Sequence, residues 1–168
     1  MPTTDCELVS PPTALLDSLL MAVILSSRLR RRWLSLPGVH SLAENILKAA
    51  GASRSDLSLL LVGDGAMRRL NRRYRRMDRT TDVLAFPMRV TRHASPVTSN
   101  LLGDVVISLP QAERQAAQAS HALDREIAML VIHGTLHLLG YDHERNAREA
   151  RRMQRKERAI LRALCLRE

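Results

Sequence analysis

Aromatic residues and cysteines are both scarce in this chain of 168 residues, which contains one Trp, one Phe, two Tyr and two Cys. With so few aromatic rings, the core has to be built mainly from Leu, Val, Ile, Ala and Met. Cys6 and Cys165 are near opposite ends and form no C-x-x-C pair. We therefore expect neither a disulfide-stapled secreted scaffold nor a thiolate zinc knuckle, but one domain in a reducing compartment.

A long apolar run is also lacking, which bears on the location of the protein. The candidate segment, residues 14–25, is too short to span a membrane and contains Asp17. Asp5 and Glu7 precede it and arginines follow it, which is the wrong charge pattern for a secretion signal. The sequence thus predicts a cytoplasmic protein that does not contact membranes.

Basic residues outnumber acidic ones by 26 to 17, so the formal net charge is +9. Twenty of the basic residues fall into three clusters, at residues 28–32, 68–79 and 145–167. Almost all are Arg, whose two-pronged donor fork matches phosphate, and such a charge balance attracts polyanions. The clusters are compatible with an RNA-binding surface. They are also compatible with solvated helix faces on which Arg replaces Lys through genomic base composition.

The order of the predicted elements indicates an α+β protein. Residues 1–20 are expected to form a poorly ordered extension, and residues 21–168 a single domain. Strands are predicted over residues 22–26, 57–62, 81–86 and 104–108, and helices over residues 39–50, 64–75, 110–120, 123–139 and 144–164. Asp64 is expected to cap the second helix. Strands come early and helices late, which favours a small mixed sheet with helices packed on it.

The segment HGTLHLLGYDH, residues 133–143, follows an apolar helical pattern and contains three histidines. His133 and His137 are four residues apart, so their imidazoles project from one helix face and can reach a single ion. Gly140 can adopt the left-handed conformation that ends a helix, which allows His143 to return as third ligand. Three neutral nitrogens leave a fourth position for water, as in catalytic zinc sites. One zinc ion per chain is expected, although nickel, copper and iron also accept such ligands.

A single histidine on an apolar helix is more often a packed core residue than a ligand, so the spacing of all three matters. The same spacing, H-x-x-x-H-x-x-G-x-x-H, occurs in metzincin proteases, which carry a Glu general base directly after the first His. Gly134 stands there in this chain and cannot transfer a proton. A metalloprotease remains an alternative, as does a non-catalytic, ribosome-associated RNA-binding factor with a structural metal. His40, His93 and His121 lack this spacing and are expected at the surface or in loops.

With these residues identified, the sequence resembles the YbeY family of bacterial endoribonucleases over roughly residues 21–165. HGTLHLLGYDH is close to that family's signature, and LNRRYRRMDRTTDVLAFP (residues 70–87) and LLGDVVIS (residues 101–108) are further matches. The chain departs from the family pattern at Met77 and Ala85, where Lys and Ser are usual. The departures do not touch the histidines, so they concern fine substrate contacts.

The resemblance implies an αβα arrangement around a small, mostly parallel sheet, with zinc on His133, His137 and His143. It implies a single-strand-specific endoribonuclease that acts in ribosomal RNA maturation, at the 3′ end of the small-subunit RNA, and in ribosome quality control. RNA and the small ribosomal subunit are then the expected partners, and DNA is not.

The resemblance also selects Arg75 as a catalytic residue, which would bind phosphate and offset the charge that builds up during cleavage. From composition alone it cannot be separated from its neighbours. The RNA-binding candidates are Arg72, Arg73, Arg75, Arg76 and Arg79. Beside the third histidine, Asp142 and Glu144 are open to two interpretations, as proton carriers or partners of the ligands, and as turn and cap residues. Asn71 and Asp82 are expected only to orient loops.

Overall fold

Four strands and five helices form the part of the chain that this computed structural model describes, residues 23–27, 35–88 and 100–165. The strands are β1 (Val23–Ser27), β2 (Asp56–Val62), β3 (Val83–Pro87) and β4 (Leu101–Ser108). The helices are α1 (Leu36–Ala50), α2 (Asp64–Arg75), α3 (Leu109–Gln118), α4 (Leu123–Leu138) and α5 (Ala147–Ala163). The α+β class is confirmed, and the predicted ends of the elements differ from these by at most three residues. The expected extension at residues 1–20 and His93 lie outside the described residues.

The sheet has the order β1-β2-β4-β3. β1 pairs with β2 and β2 with β4 in parallel, whereas β3 pairs with β4 in the antiparallel direction. Central parallel strands need apolar side chains on both faces, which explains the almost wholly apolar sequence of β2. β3 lies at one edge and ends at Pro87, a residue that sheets accept at such an edge. The mixed, mostly parallel sheet that the resemblance implied is therefore confirmed.

Helices cover both faces of the sheet, because successive side chains of its strands point in opposite directions. One face packs against α1, α3, α4 and α5 and contributes Leu57, Leu59, Leu61, Val105 and Ile107 to the larger core. The other face packs against Met67 of α2 and contributes Val62, Leu84 and Val106 to a smaller core. Burial on both sides gives the αβα arrangement and holds α4 firmly against the sheet.

The expected capping of α2 by the side chain of Asp64 is wrong. Gly63 is the N-cap residue, and α2 begins at Asp64 without a side-chain capping bond. The Asp64 carboxylate instead accepts a hydrogen bond from Ser108 Oγ at 2.7 Å and pairs with Arg114 Nη2 at 2.9 Å. Burial by itself would raise the pKa of Asp64, but the bonds from Ser108 and Arg114 outweigh it and lower that pKa. The start of α2 is thereby tied to the junction of β4 and α3.

Helix α4 is apolar around most of its circumference, as expected for a helix that is enclosed by other elements. Four of its residues are fully buried: Ile127, Val131, Thr135 and Leu136. Asp124 and Glu126 lie in its first turn, where carboxylates interact favourably with the positive end of the helix dipole. No helix among the described residues is both long and apolar enough to cross a membrane.

Candidate metal centre

Three histidine side chains converge at the C-terminal end of α4 and the turn that follows it. His133 Nε2 and His137 Nε2 are 3.1 Å apart, and the ring centroids of the three residues are separated by 4.7–5.0 Å. Their potential ligand atoms all lie within 4.8 Å of one another. Two nitrogens bound to one tetrahedral zinc at about 2.0–2.1 Å would be separated by roughly 3.3 Å. The donor set and its spacing therefore fit a single zinc-like ion held by His133, His137 and His143.

The orientation of His133 is fixed by a carboxylate from α5. Glu157 Oε1 lies 2.8 Å from His133 Nδ1, and both side chains are half-buried. A carboxylate at this distance accepts the Nδ1 proton, which leaves the Nε2 lone pair directed at the other histidines. Sequence reasoning missed Glu157, because it is 24 positions away in a helix that has several other acidic and basic residues.

Replacing Glu157 with Gln is expected to weaken metal binding by about 10–100-fold, because the amide no longer holds the Nδ1–H tautomer of His133 as firmly. Competition with a chromophoric chelator measures the affinity. Glu149, which pairs with Arg152 on the same helix, offers a matched control in Glu149→Gln. Equal metal affinities in the two variants would contradict a role of Glu157 in orienting the ligand.

The turn after α4 brings His143 back towards the helix. Gly140 has a φ of 87°, the left-handed conformation expected for it, and its N–H donates to the carbonyl of His137 at 3.0 Å. Asp142 Oδ1 accepts the backbone N–H of Glu144 at 2.9 Å, which closes a tight turn around His143. Of the two interpretations left open for Asp142, the structure supports the turn residue.

The surroundings of His137 disfavour its protonated form. Burial lowers the pKa of His137, and the neighbouring His133 and His143 lower it further because a second positive charge would repel theirs. A metal ligand must offer a free lone pair, so the lowered pKa of His137 favours the form that binds metal.

Gly134 fits against the sheet and leaves no room for the base of a metzincin. A Cβ atom built on Gly134 would lie 2.7 Å from Val105 Cγ1 and 3.0 Å from Val105 Cγ2 in β4. A side chain at this position would thus collide with Val105, which belongs to the larger core. The packing explains why glycine follows the first histidine and counts against the protease alternative.

We expect Gly134→Ala to destabilise the protein by about 1–3 kcal/mol, because the added methyl group overpacks a filled core. Denaturant unfolding measures the change. Val105→Ala removes the two atoms that would lie closest to the new methyl group, so the double variant Gly134→Ala/Val105→Ala should lose less stability than the two single changes added together. Simple additivity of the two would contradict the proposed steric contact.

The histidines line the floor of an open cleft of about 960 Å³. One wall is strand β3 with the two residues before it, and the other comprises residues 140–144 and part of α5. Arg75, the last residue of α2, lies at the rim, where its Nη2 is 3.3 Å from Glu144 Oε1 and 3.4 Å from Glu144 Oε2. Both side chains are at least half exposed, so the pair can separate when an anion enters.

The arginines that sequence analysis grouped as equals differ in their positions. All five side chains are exposed, but only Arg75 lines the cleft. The remaining four are at the end of α2 and in the loop after it, and they are Arg72, Arg73, Arg76 and Arg79. Their position permits contacts with a long anionic chain outside the cleft.

Two polar residues hold the loop between α2 and β3 in place, as expected from the sequence. Asn71 is buried and donates from Nδ2 to the carbonyl oxygen of Arg79 at 2.8 Å. Asp82 accepts bonds from the Val83 N–H at 2.8 Å and from Gln115 Nε2 at 3.0 Å. Burial alone would raise the pKa of Asp82, but the bonds from Gln115 and Val83 outweigh it and lower that pKa.

Two of the other histidines are within the described residues. His40 lies on α1 with a largely exposed side chain, 3.9 Å from Glu44, as expected for a surface residue. His121 does lie in a loop, but its side chain is mostly buried, and its Nε2 is 3.1 Å from Glu126 Oε2. Burial raises the pKa of Glu126, and the charge of His121 opposes that change. Neither residue of this pair lines the cleft of the three histidines, and the pair satisfies a buried carboxylate.

A three-histidine cluster on the floor of an open cleft, in an αβα domain, is characteristic of metal-dependent hydrolases. The family model described as "Endoribonuclease YbeY" matches residues 31–165. The chain belongs to the YbeY endoribonuclease family, in agreement with the resemblance noted in its sequence.

Individual relatives agree with this assignment. A protein named "Endoribonuclease YbeY" from Anaeromyxobacter sp. (strain Fw109-5) is 46% identical over 143 residues, which cover 85% of this chain and 72% of that protein. A protein of the same name from Geobacter metallireducens is 40% identical over 141 residues, covering 83% of this chain and 93% of that protein. The solution structure of a Thermotoga maritima protein has a TM-score of 0.57 at 22% identity, covering 86% of this chain and 89% of that one, and so supports the fold.

Proposed function

We propose that this chain is a metal-dependent endoribonuclease that cleaves single-stranded RNA. The observation that carries the proposal is the cluster of His133, His137 and His143 in a cleft that Arg75 also lines, in a member of the YbeY endoribonuclease family. The cleft is open to solvent, and the unpaired bases of a single strand are accessible to protein side chains. Ribosomal RNA is the proposed substrate, and maturation of the 3′ end of the small-subunit RNA and ribosome quality control are the proposed roles.

Zinc is the metal that we propose for the three histidines, with one ion per chain. When bound, it would supply Lewis-acid activation of water and of a phosphate oxygen. The protein contributes the orientation of the ligands: Glu157 holds the His133 ring, and the lowered pKa of His137 favours the form that binds metal. The basic surface and the position of Gly134 favour this function over the metalloprotease alternative.

Arg75 is the residue to which we assign phosphate binding at the reacting bond. Its guanidinium lies at the rim of the cleft, where Glu144 holds it in place before substrate arrives. A phosphodiester can accept two parallel N–H bonds from this group and replace Glu144 as its partner. The positive charge of Arg75 then offsets the negative charge that develops on the phosphate oxygens.

The decisive experiment compares metal-loaded and metal-stripped protein on labelled single-stranded RNA, on DNA of the same sequence and on casein. Cleavage of RNA alone, lost on stripping and restored by zinc, is the result that the proposal requires. Hydrolysis of casein would favour the protease. Binding of RNA without cleavage, in the loaded state, would favour the non-catalytic factor. Restoration with nickel, copper or iron in place of zinc distinguishes the native metal.

The exposed arginines at positions 72, 73, 76 and 79 are proposed to hold the RNA outside the cleft by its phosphates. If they do, RNA affinity should fall steeply and linearly on a log–log plot between about 50 and 200 mM salt, with a slope set by the number of phosphates neutralised. Filter binding or fluorescence anisotropy gives the slope. A flat response would reassign these side chains to a solvated surface.

Location and partners follow from the proposed substrate. We propose that the protein acts in the cytoplasm, with the small ribosomal subunit or its precursor as the particle that presents the RNA. Co-sedimentation with ribosomal particles at physiological salt is the measurement that bears on this.

A further inference from the structure

The aromatic side chains that the structure describes are concentrated in one place in this aromatic-poor protein. Among residues 23–27, 35–88 and 100–165 there are three aromatic residues of the Phe, Tyr and Trp types, and all three line the metal cleft. They are Tyr74 at the end of α2, Phe86 in β3 and Tyr141 in the turn after α4. A core that needed aromatic bulk would bury them, but none of the three is classed as buried. Their common position calls for an explanation that the three histidines do not supply.

Tyr74 is the most accessible of the three, with 56% of the residue exposed. Its ring meets that of Phe86 edge-on, with centroids 4.9 Å apart and an interplanar angle of 65°. Phe86 is itself partly buried in the smaller core, so it supports the Tyr74 ring from a fixed position. A large apolar ring that is held in place and left open to solvent is prepared for a contact with a planar ligand.

Tyr141 differs from Tyr74 in being partly buried, with a positively charged group closer to its ring. The guanidinium carbon of Arg152 lies 4.8 Å from the centroid of Tyr141, and Tyr141 also packs against the larger core. Arg73 approaches the Tyr74 ring less closely, at 5.6 Å, from an exposed helix surface. The ring of Tyr74 is thus the accessible one, and it is adjacent in sequence to the arginine that we assign to phosphate.

We infer that Tyr74 is a nucleobase-stacking residue, which binds one base of the RNA strand whose phosphate lies at Arg75. The inference rests on the proposed endoribonuclease function and adds a contact with the base to the contact with the backbone. Single-stranded RNA offers unpaired bases that stack on aromatic side chains without regard to sequence. The exposed arginines around the end of α2 supply the complementary charge for the phosphates on either side.

The alternative is that Tyr74 only covers Phe86 and the smaller core. Three substitutions separate the two roles. Tyr74→Phe keeps the aromatic ring, Tyr74→Leu keeps apolar cover over Phe86 without a flat face, and Tyr74→Ala removes both. The melting temperature of each variant shows how much Tyr74 stabilises the protein by covering Phe86 and the smaller core. The contact with the base is measured separately.

The test uses the full, metal-loaded chain and short single-stranded RNAs in which one nucleotide at a time is made abasic. Wild-type protein should cleave the intact RNA more efficiently than the abasic RNA at one position, by on the order of tenfold in kcat/KM. Tyr74→Phe should keep this preference, whereas Tyr74→Leu and Tyr74→Ala should lose it. A 2-aminopurine base at that position should be quenched on mixing, before cleavage, by the wild type and Tyr74→Phe alone.

Each outcome bears on a different part of the argument. One outcome is that Tyr74→Leu cleaves RNA with the same preference for intact over abasic RNA as the wild type. This result would overturn the stacking role of Tyr74 but leave the proposed endoribonuclease function standing. A wild type that neither binds nor cleaves intact RNA would overturn both. Loss of the preference and of the quenching in a Tyr74→Leu variant that melts like the wild type would establish the stacking contact.

Discussion

Arg75→Ala is expected to slow RNA cleavage by about 10²–10³-fold, while the affinity for RNA falls much less. Some hydrogen-bond donors are directed at charge that develops only in the transition state. Such a donor increases the rate of the reaction but adds little to the affinity for the substrate. Arg75 and the three histidines line the same cleft, where we propose that the scissile phosphate binds. Single-turnover cleavage at saturating protein, together with an independent binding measurement, separates the two effects.

Two variants serve as controls for Arg75→Ala. The first removes a different arginine, and the second keeps the positive charge at position 75. Arg79→Ala removes an exposed arginine outside the cleft, and its backbone carbonyl can still accept the bond from Asn71. Its rate effect should be small. Arg75→Lys keeps the charge but loses the two-pronged fork, so it should stay impaired if both N–H groups contact the phosphate. Similar, modest effects of Arg75→Ala and Arg79→Ala would assign both residues to a diffuse basic surface.

His137→Ala is expected to remove most of the bound metal and, with it, nearly all RNA cleavage. The wild type should contain about one transition metal ion per chain, because three imidazoles in a fixed array bind far more tightly than two. Elemental analysis gives the content, and added zinc should raise the melting temperature of the wild type much more than that of the variant.

His40→Ala is the matched control for this loss of metal. His40 lies exposed on α1, and its removal should leave the metal content and the response to zinc unchanged. A His137→Ala protein that still carried a full equivalent of metal would refute the assignment of the three ligands.

The fold could be predicted from the sequence because its signals are local. The apolar run of β2, the glycine after α1 and the spacing of apolar residues in α4 each depend on neighbours along the chain. The mistaken cap at Asp64 shows the limit of such signals. Its carboxylate was expected to cap its own helix, but it binds Ser108 at the end of β4 and Arg114 in α3.

The candidate site could be predicted only in part, for the same physical reason. The three histidines lie within 11 consecutive residues, so a helix and one turn are enough to bring them together. Glu157 and the Arg75–Glu144 pair depend on how separate elements dock, which the spacing of residues does not encode. The selective accessibility of Tyr74 among the aromatic residues likewise appears only when the cleft has formed.

The carboxylate that orients His133 comes from α5, which follows the three histidines in the chain. A growing polypeptide emerges from the ribosome with its N-terminal part first, so α4 and its histidines are available before α5 has docked. At that stage the His133 ring lacks its partner at Nδ1, and the wall of the cleft that α5 supplies is missing. The metal centre is therefore assembled last. A protein that cuts RNA would be made in immediate contact with RNA while its centre is still incomplete.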